Sequence, residues 1–260
     1  MPNKHGDFIW YELTTSDAEA AQDFYSAALG WTWETTEGQP GMPYHIFSME
    51  GTQVGGMMAL TDEMKAGGAQ PCWLGYVGVD DIEASVEAIK AAGGGVHFGP
   101  IEIPDAGRFA MVTDPQGAYF YVMQDTSGQE SHSFAATEPK IGHCAWNELL
   151  SSDPEAAIAF YGDQFGWEKT EEMDMPPMGK YHMLGHGYAL GGVMQKPEQM
   201  PMSAWTFYFR VPDIDNAMAT VKDKGGQPLS EPMEIPGGEF TINAMDPQGA
   251  PFALVGTRDS

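Results

Sequence analysis

The chain is poor in cysteine, in positive charge and in long apolar runs, and each shortage removes a class of function. Its two cysteines, Cys72 and Cys144, sit in unlike contexts and form neither a CxxC pair nor a disulfide framework, so they read as packed thiols in a reducing cytoplasm. Lys and Arg number 12 against 37 Asp and Glu, a net charge of −25. Such a field repels nucleic acid and anionic lipid, so neither is expected as a partner, and the acidity itself reads as a well-solvated surface. No apolar run approaches the roughly 18 residues that suggest a membrane span. No charged-then-apolar leader opens the sequence, which leaves the cytoplasm as the expected location. What remains is the composition of a globular protein, 42% hydrophobic over 260 residues, long enough for two domains of about 125 residues each.

A duplication is present. Residues 10–31 read WYELTTSDAEAAQDFYSAALGW and 146–167 read WNELLSSDPEAAIAFYGDQFGW, aligned without gaps at an offset of 136 (146 − 10). Asp81-Ile82 answers Asp213-Ile214, and DPQGA at 114–118 answers DPQGA at 246–250. The chain therefore reads as two homologous halves, 1–124 and 141–260. The segment between them, DTSGQESHSFAATEPK at 125–140, is polar and short of large apolar residues, and reads as a linker.

Each half begins with a β-rich stretch. Ser16 and Glu19, like Ser152 and Glu155, then have the spacing of a capping box. Ala21, Phe24, Tyr25 and Ala28 follow helical spacing, as do Ala157, Phe160, Tyr161 and Phe165, and Gly30 and Gly166 stand where a helix ends in a left-handed residue. A second strand-helix unit recurs at 76–94 and 208–226. The pattern predicts an α+β chain of four βαβββ modules.

A helix ending in FY before a GW turn, with a later strand-helix unit closing on DPxG and a final strand, resembles the vicinal oxygen chelate superfamily. That group holds glyoxalase I, bleomycin and fosfomycin resistance proteins, methylmalonyl-CoA epimerase and extradiol dioxygenases. The paired W-x-E-L and DPQGA motifs look most like its tandem, two-domain glyoxalase-like branch. The resemblance implies that module pairs curve into ligand-sized cups, with metal ligands on the first and last strands. At those positions this sequence carries Trp10, Leu74 and Tyr121 in one half and Trp146, Thr206 and Ala253 in the other. These side chains do not make a converging set of oxygen or nitrogen donors, so no metal or other cofactor is expected in the usual place. An extradiol dioxygenase is disfavoured for the same reason.

Alternation along strands puts Glu12 and Thr14 on the face of Trp10, and Glu148 on the face of Trp146. Tyr76, Tyr121 and Met123 join the first cup, and Thr206, Tyr208 and Arg210 the second. An apolar, aromatic lining with few polar groups suits a small-molecule ligand. Glu12 and Glu148 are the catalytic candidates, because a carboxylate among aromatic rings has its pKa raised toward that of a general base; the alternative is a solvated group near a strand end. Arg210 has three readings: neutralising Glu148, holding a ligand carboxylate, or a structural ion pair. His45 and His182 each follow a tyrosine, which permits a ligand or acid-base role as well as plain edge filling. Trp10 and Trp146 are stacking plates or wedges where a metal would sit. Arg108 is expected in an exposed loop at the cup mouth, and the DPQGA segments are expected to be structural turns.

Two functions stand beside each other. One is metal-independent binding of a hydrophobic or aromatic small molecule. The other is a glyoxalase-like lyase or isomerase acting on a small carbonyl compound, with Glu12 or Glu148 moving the proton. Either a monomer or a homodimer fits.

Overall fold

A computed structural model describes residues 3–38, 42–135 and 137–258. The first module runs β1 (Phe8–Thr15), α1 (Ala18–Leu29), β2 (Thr32–Glu37), β3 (Pro43–Met49) and β4 (Thr52–Ala59), and a short α2 (Asp62–Ala66) leads out of it. The second holds β5 (Cys72–Gly78), α3 (Ile82–Ala91), β6 (Gly95–Ile103), β7 (Gly107–Thr113) and β8 (Tyr119–Asp125). The third holds β9 (Cys144–Ser151), α4 (Pro154–Phe165), β10 (Glu168–Asp174), β11 (Lys180–Gly185) and β12 (Ala189–Gln195). The fourth holds β13 (Ala204–Asp213), α5 (Ile214–Asp223), the two-residue β14 (Gln227–Pro228) and β15 (Met233–Glu234), β16 (Phe240–Met245) and β17 (Pro251–Thr257).

Among the described residues these strands make an eight-stranded sheet, ordered β2-β3-β4-β1-β5-β8-β7-β6, and a nine-stranded sheet, ordered β10-β11-β12-β9-β13-β17-β16-β14 with β15 beside β16. In every module the first strand lies parallel to the last, and the remaining ladders described are antiparallel. The architecture is the expected α+β one of two tandem domains with curved sheets. No helix among the described residues is long and apolar enough to cross a membrane.

The helix starts differ from the sequence reading by one residue. Asp17 and Asp153, not Ser16 and Ser152, are the N-caps, and their carboxylates accept from the backbone N–H of Ala20 and Ala156. Aspartate caps as well as serine and adds a negative charge at the positive end of the helix dipole, so it wins the position. Gly30 and Gly166 close these helices at φ 74° and 70°, where a side chain is strained.

Contacts divide the chain into two compact units, and each takes one module from each half. One comprises Met1–Trp10, Leu74–Ser131 and Trp146–Thr206; the other comprises Tyr11–Trp73, His132–Ala145 and Phe207–Ser260. The repeated motifs explain the grouping. In the second-named unit the indole of Trp73 donates to the hydroxyl of Tyr25 at 2.9 Å, and that hydroxyl donates to Asp246 of the DPQG turn at 3.0 Å. The first-named unit repeats the relay from Trp205 to Tyr161 to Asp114, at 3.1 Å for each step. Asp114 and Asp246 also tie their own turns, each accepting from two backbone N–H groups through Oδ1. The tyrosine of FY and the aspartate of DPQG are thus partners across the duplication, and the DPQGA segments are structural turns.

Around each relay lies an aromatic core. Tyr25, Trp31, Phe47, Trp73, Phe209 and Phe252 cluster in one unit, and Phe8, Tyr161, Phe165, Trp167 and Trp205 in the other. Their burial is the main source of stability, at roughly 1.5–3 kcal/mol for each large side chain removed from water. Burial pushes the Tyr25 and Tyr161 phenols well above their ordinary value, so both stay protonated and act as donors.

Candidate functional site

Two carboxylates on first strands meet two tyrosines on third strands, once in each half. Tyr44 on β3 donates its hydroxyl to Glu12 Oε2 at 3.0 Å, and Tyr181 on β11 donates to Glu148 Oε2 at 3.0 Å. Glu12 is 4% exposed and lies mid-strand in β1, not at a solvated strand end. Glu148 is half-buried in the middle of β9. The indole of Trp146 in turn donates to the Tyr181 hydroxyl at 2.7 Å. Burial, followed by the neighbouring Glu148 charge, pushes the Tyr181 phenol up, so it is a donor at neutral pH and not a base.

The glycine pairs of β4 and β12 make room for this geometry. Glu12 lies directly opposite Gly56 and Glu148 opposite Gly192 in the parallel ladders. A Cβ on Gly56 would run into the Tyr44 hydroxyl and ring, and one on Gly192 into the Tyr181 ring. Their neighbours Gly55 and Gly191 lie against the backbone of Tyr11 and Asn147, where a Cβ is equally excluded. The second glycine of each GG dipeptide is therefore a bed for the tyrosine ring, and the first lets the adjacent backbone come close. Sequence reasoning named the glutamates and missed Tyr44, Tyr181 and these glycines. The available signal was the recurrence of Tyr and Gly-Gly in both halves.

The first half adds two small polar groups. Thr14, two residues along from Glu12, has its hydroxyl 3.4 Å from the Cys72 thiol, and burial raises that thiol's pKa. The sulfur is therefore a packed thiol and not a thiolate. The second half has Leu150 and Ala204 at the equivalent places.

The other aromatic residues singled out in the sequence are placed as follows. Tyr76 and Tyr121 pair across β5 and β8 and stack on each other with centroids 4.3 Å apart, flanked by Phe109; both are 3% exposed. Tyr208 is buried opposite Ala253. Trp10 and Trp146 are half-buried on β1 and β9.

Arg210 is held by Glu239 through both guanidinium NH2 groups, Nη1 to Oε1 and Nη2 to Oε2, the second at 3.1 Å, which is the structural ion pair among its three readings. Arg108 lies in β7 and pairs with Glu83 of α3 at 2.5 Å, so it is a partly exposed strand residue and not a loop residue.

His45 and His182 lie on the opposite sheet face from the Tyr–Glu pairs, as adjacent strand residues must. His45 meets Thr35 at 2.9 Å and Gln22 of α1 at 3.4 Å, and desolvation lowers its pKa. His182 faces Glu155 of α4 and Glu172 of β10.

The family profile described as "Glyoxalase/Bleomycin resistance protein/Dioxygenase superfamily" matches residues 8–122 and again 140–254. The chain belongs to that superfamily. A putative glyoxylase named CFP32 from Mycobacterium tuberculosis is 34% identical over 256 residues, covering 97% of this chain and 95% of that protein. The anthracycline biosynthesis protein DnrV of Streptomyces peucetius is 26% identical over 261 residues, covering 96% and 93%. Among solved structures, the Mn(II)-bound glyoxalase from Novosphingobium aromaticivorans superposes with a TM-score of 0.66 at 16% identity, covering 98% of this chain and 83% of that one. The 2,3-dioxygenase LapB of Pseudomonas sp. KL28 gives 0.64 at 13% identity, with 100% and 94% covered. At these identities the structural likeness is one of fold.

A divalent ion held on first and last strands needs imidazole or carboxylate donors there. Trp10, Leu74, Trp146 and Ala253 supply none, and the hydroxyls of Tyr121 and Thr206 give one oxygen in each half, short of a converging set. The residues at the strand positions where glyoxalase-superfamily metals are expected do not fit one.

Proposed function

We propose that this member of the glyoxalase superfamily binds a small hydrophobic or aromatic molecule beside the Glu12–Tyr44 and Glu148–Tyr181 pairs, without a metal in the usual place. The observation that carries the reading is the pair itself, built twice with a glycine under each tyrosine. A carboxylate and a phenol fixed to each other, amid aromatic side chains, offer one polar anchor in an apolar setting. The naming of two relatives as anthracycline biosynthesis proteins agrees with a planar, polycyclic ligand. The donor chain from Trp146 through Tyr181 favours a second reading, proton transfer on a small carbonyl compound. Glu148 takes the proton there, and Tyr181 holds the carboxylate in place.

The test is tryptophan fluorescence of the full chain titrated with a hydroxylated anthraquinone, with and without chelator. Saturable quenching that chelator leaves unchanged, and that Glu148→Gln or Glu12→Gln weakens at least tenfold, is expected. Stoichiometric metal whose removal abolishes binding or turnover overturns the metal-free reading. Turnover untouched by both glutamate variants ends the proton-transfer one.

A further inference from the structure

The helix side of the third module carries a cluster that the proposed site does not use. His182 on β11 pairs directly with Glu172 on β10, and Glu155 in the first turn of α4 completes the group. The imidazole is 4% exposed. Its Nδ1 has no hydrogen-bond partner and stands 3.4 Å from Glu172 Oε2, while Nε2 stands 3.6 Å from Glu155 Oε1. One donor atom from each residue lies within 4.8 Å of the others.

The equivalent place in the first half shows what a filled version looks like. His45 pairs with Thr35 in the same ladder register as His182 with Glu172. There the threonine hydroxyl satisfies the ring nitrogen at 2.9 Å. In the second half the hydroxyl has become a carboxylate, and the buried nitrogen has no hydrogen bond.

We propose that Glu155, Glu172 and His182 form a binding site for a divalent cation of the zinc class. One imidazole nitrogen with two carboxylates is a donor set for such ions. Two ligand atoms each about 2.1 Å from a common ion, at a near-tetrahedral angle, lie about 3.4 Å apart, which is the spacing of His182 Nδ1 from Glu172 Oε2.

Hydrogen bonds from Lys180 and Lys169 hold the Glu172 carboxyl down to about 2, so it is an anion at any working pH. Glu155 is 69% exposed and free to swing onto an ion. Lys169 marks the position: its ammonium sits 2.9 Å from Glu172 Oε2 and 3.6 Å from Glu155 Oε1. It is a tethered single charge where the ion would carry two. The site is therefore guarded by a competitor that must move aside.

The site is independent of the ligand proposed above, so its test does not involve that ligand. The full chain, stripped with chelator and dialysed, is titrated with Zn2+ by calorimetry and with Co2+ by visible absorption. One ion per chain is expected, with the absorption of a nitrogen–oxygen site. His182→Asn and Glu172→Gln should each weaken binding at least tenfold, Lys169→Met should tighten it at least threefold, and His45→Asn should leave it unchanged. Circular dichroism of each metal-free variant checks the fold. No stoichiometric binding, binding that survives His182→Asn, or an unchanged affinity in Lys169→Met overturns the proposal, and the last variant alters an exposed side chain that the fold tolerates.

Discussion

Tyr181 donates its hydroxyl to Glu148 at 3.0 Å and accepts the indole N–H of Trp146 at 2.7 Å, so the tyrosine fixes the carboxylate and is itself fixed. The relationship places the polar chemistry of the sheet face in a pair of side chains on β9 and β11 of one module, reaching across β12 between them. Removing the hydroxyl leaves the carboxylate without that donor. Tyr181→Phe and Tyr44→Phe should each lower stability by about 2 kcal/mol, the scale of a hydrogen bond to a charged group, and weaken ligand binding. Urea unfolding with fluorescence titration measures both. Unchanged binding in both variants would remove the tyrosines from the site.

The glycine beds can be tested without touching any polar group. Gly192→Ala puts a methyl where the Tyr181 ring lies, and Gly56→Ala does the same under Tyr44. Overpacking of this kind costs about 1–3 kcal/mol. If the ring is displaced from its glutamate, binding should fall as far as in the Tyr→Phe variants. Double variants such as Gly192→Ala with Tyr181→Phe should then fall little further; full additivity would show that the glycine acts elsewhere.

The buried aspartates predict an unusual pH trend. Burial raises the carboxyls of Asp114 and Asp246 above 3.8, with backbone hydrogen bonds offsetting part of the rise. The folded state then holds these protons more tightly than the unfolded chain. Their contribution is complete below about pH 3.8 and is lost as pH rises through the raised folded values. Glu172 works in the opposite sense: its carboxyl falls from 4.5 to about 2, so its contribution is present above 4.5 and lost as pH falls toward 2. Asp246→Asn should remove one of the two descending terms, so stability should decline less than in the wild type as pH rises above 3.8. Identical slopes of stability against pH above 3.8, measured by urea unfolding, would refute the assignment.

Two arginines separate a surface contact from a sheltered one. Arg108 and Glu83 are 39% and 58% exposed, whereas Arg210 and Glu239 are 14% and 29% exposed and doubly bonded. Arg108→Ala should change stability by less than about 1 kcal/mol. Arg210→Ala should cost about 2–3 kcal/mol, because it leaves a partly sheltered carboxylate unpaired. Thermal unfolding of both variants decides, and equal effects would contradict the difference in burial.

The fold was legible because it is written twice: FY, GW and DPQGA recur, and each copy carries its own helix and turn signals. The glutamates were legible from strand alternation. Their tyrosines were not, because Tyr44-His45 and Tyr181-His182 place two reactive side chains side by side, and alternation sends one to each face without saying which. Histidine attracts attention as a titrating group, yet in this register the tyrosine reaches the glutamate. For Arg210 the sequence left three readings open, the structural ion pair among them, since Glu239 lies 29 residues away, a distance that periodicity does not register. The grouping of modules across the repeat rests on Tyr25 meeting Asp246, a pairing 221 residues apart that no local pattern encodes.

That span has a consequence for how the molecule comes into being. On the ribosome, Asp246 emerges 221 residues after Tyr25, so the unit built around them stays open until the fourth module has followed the first. A half-length product would lack Phe209, Phe252 and Asp246, which pack on or bond to Phe24, Tyr25 and Trp73 in the folded unit. The first copy of the repeat must wait for the second before its aromatic core can close.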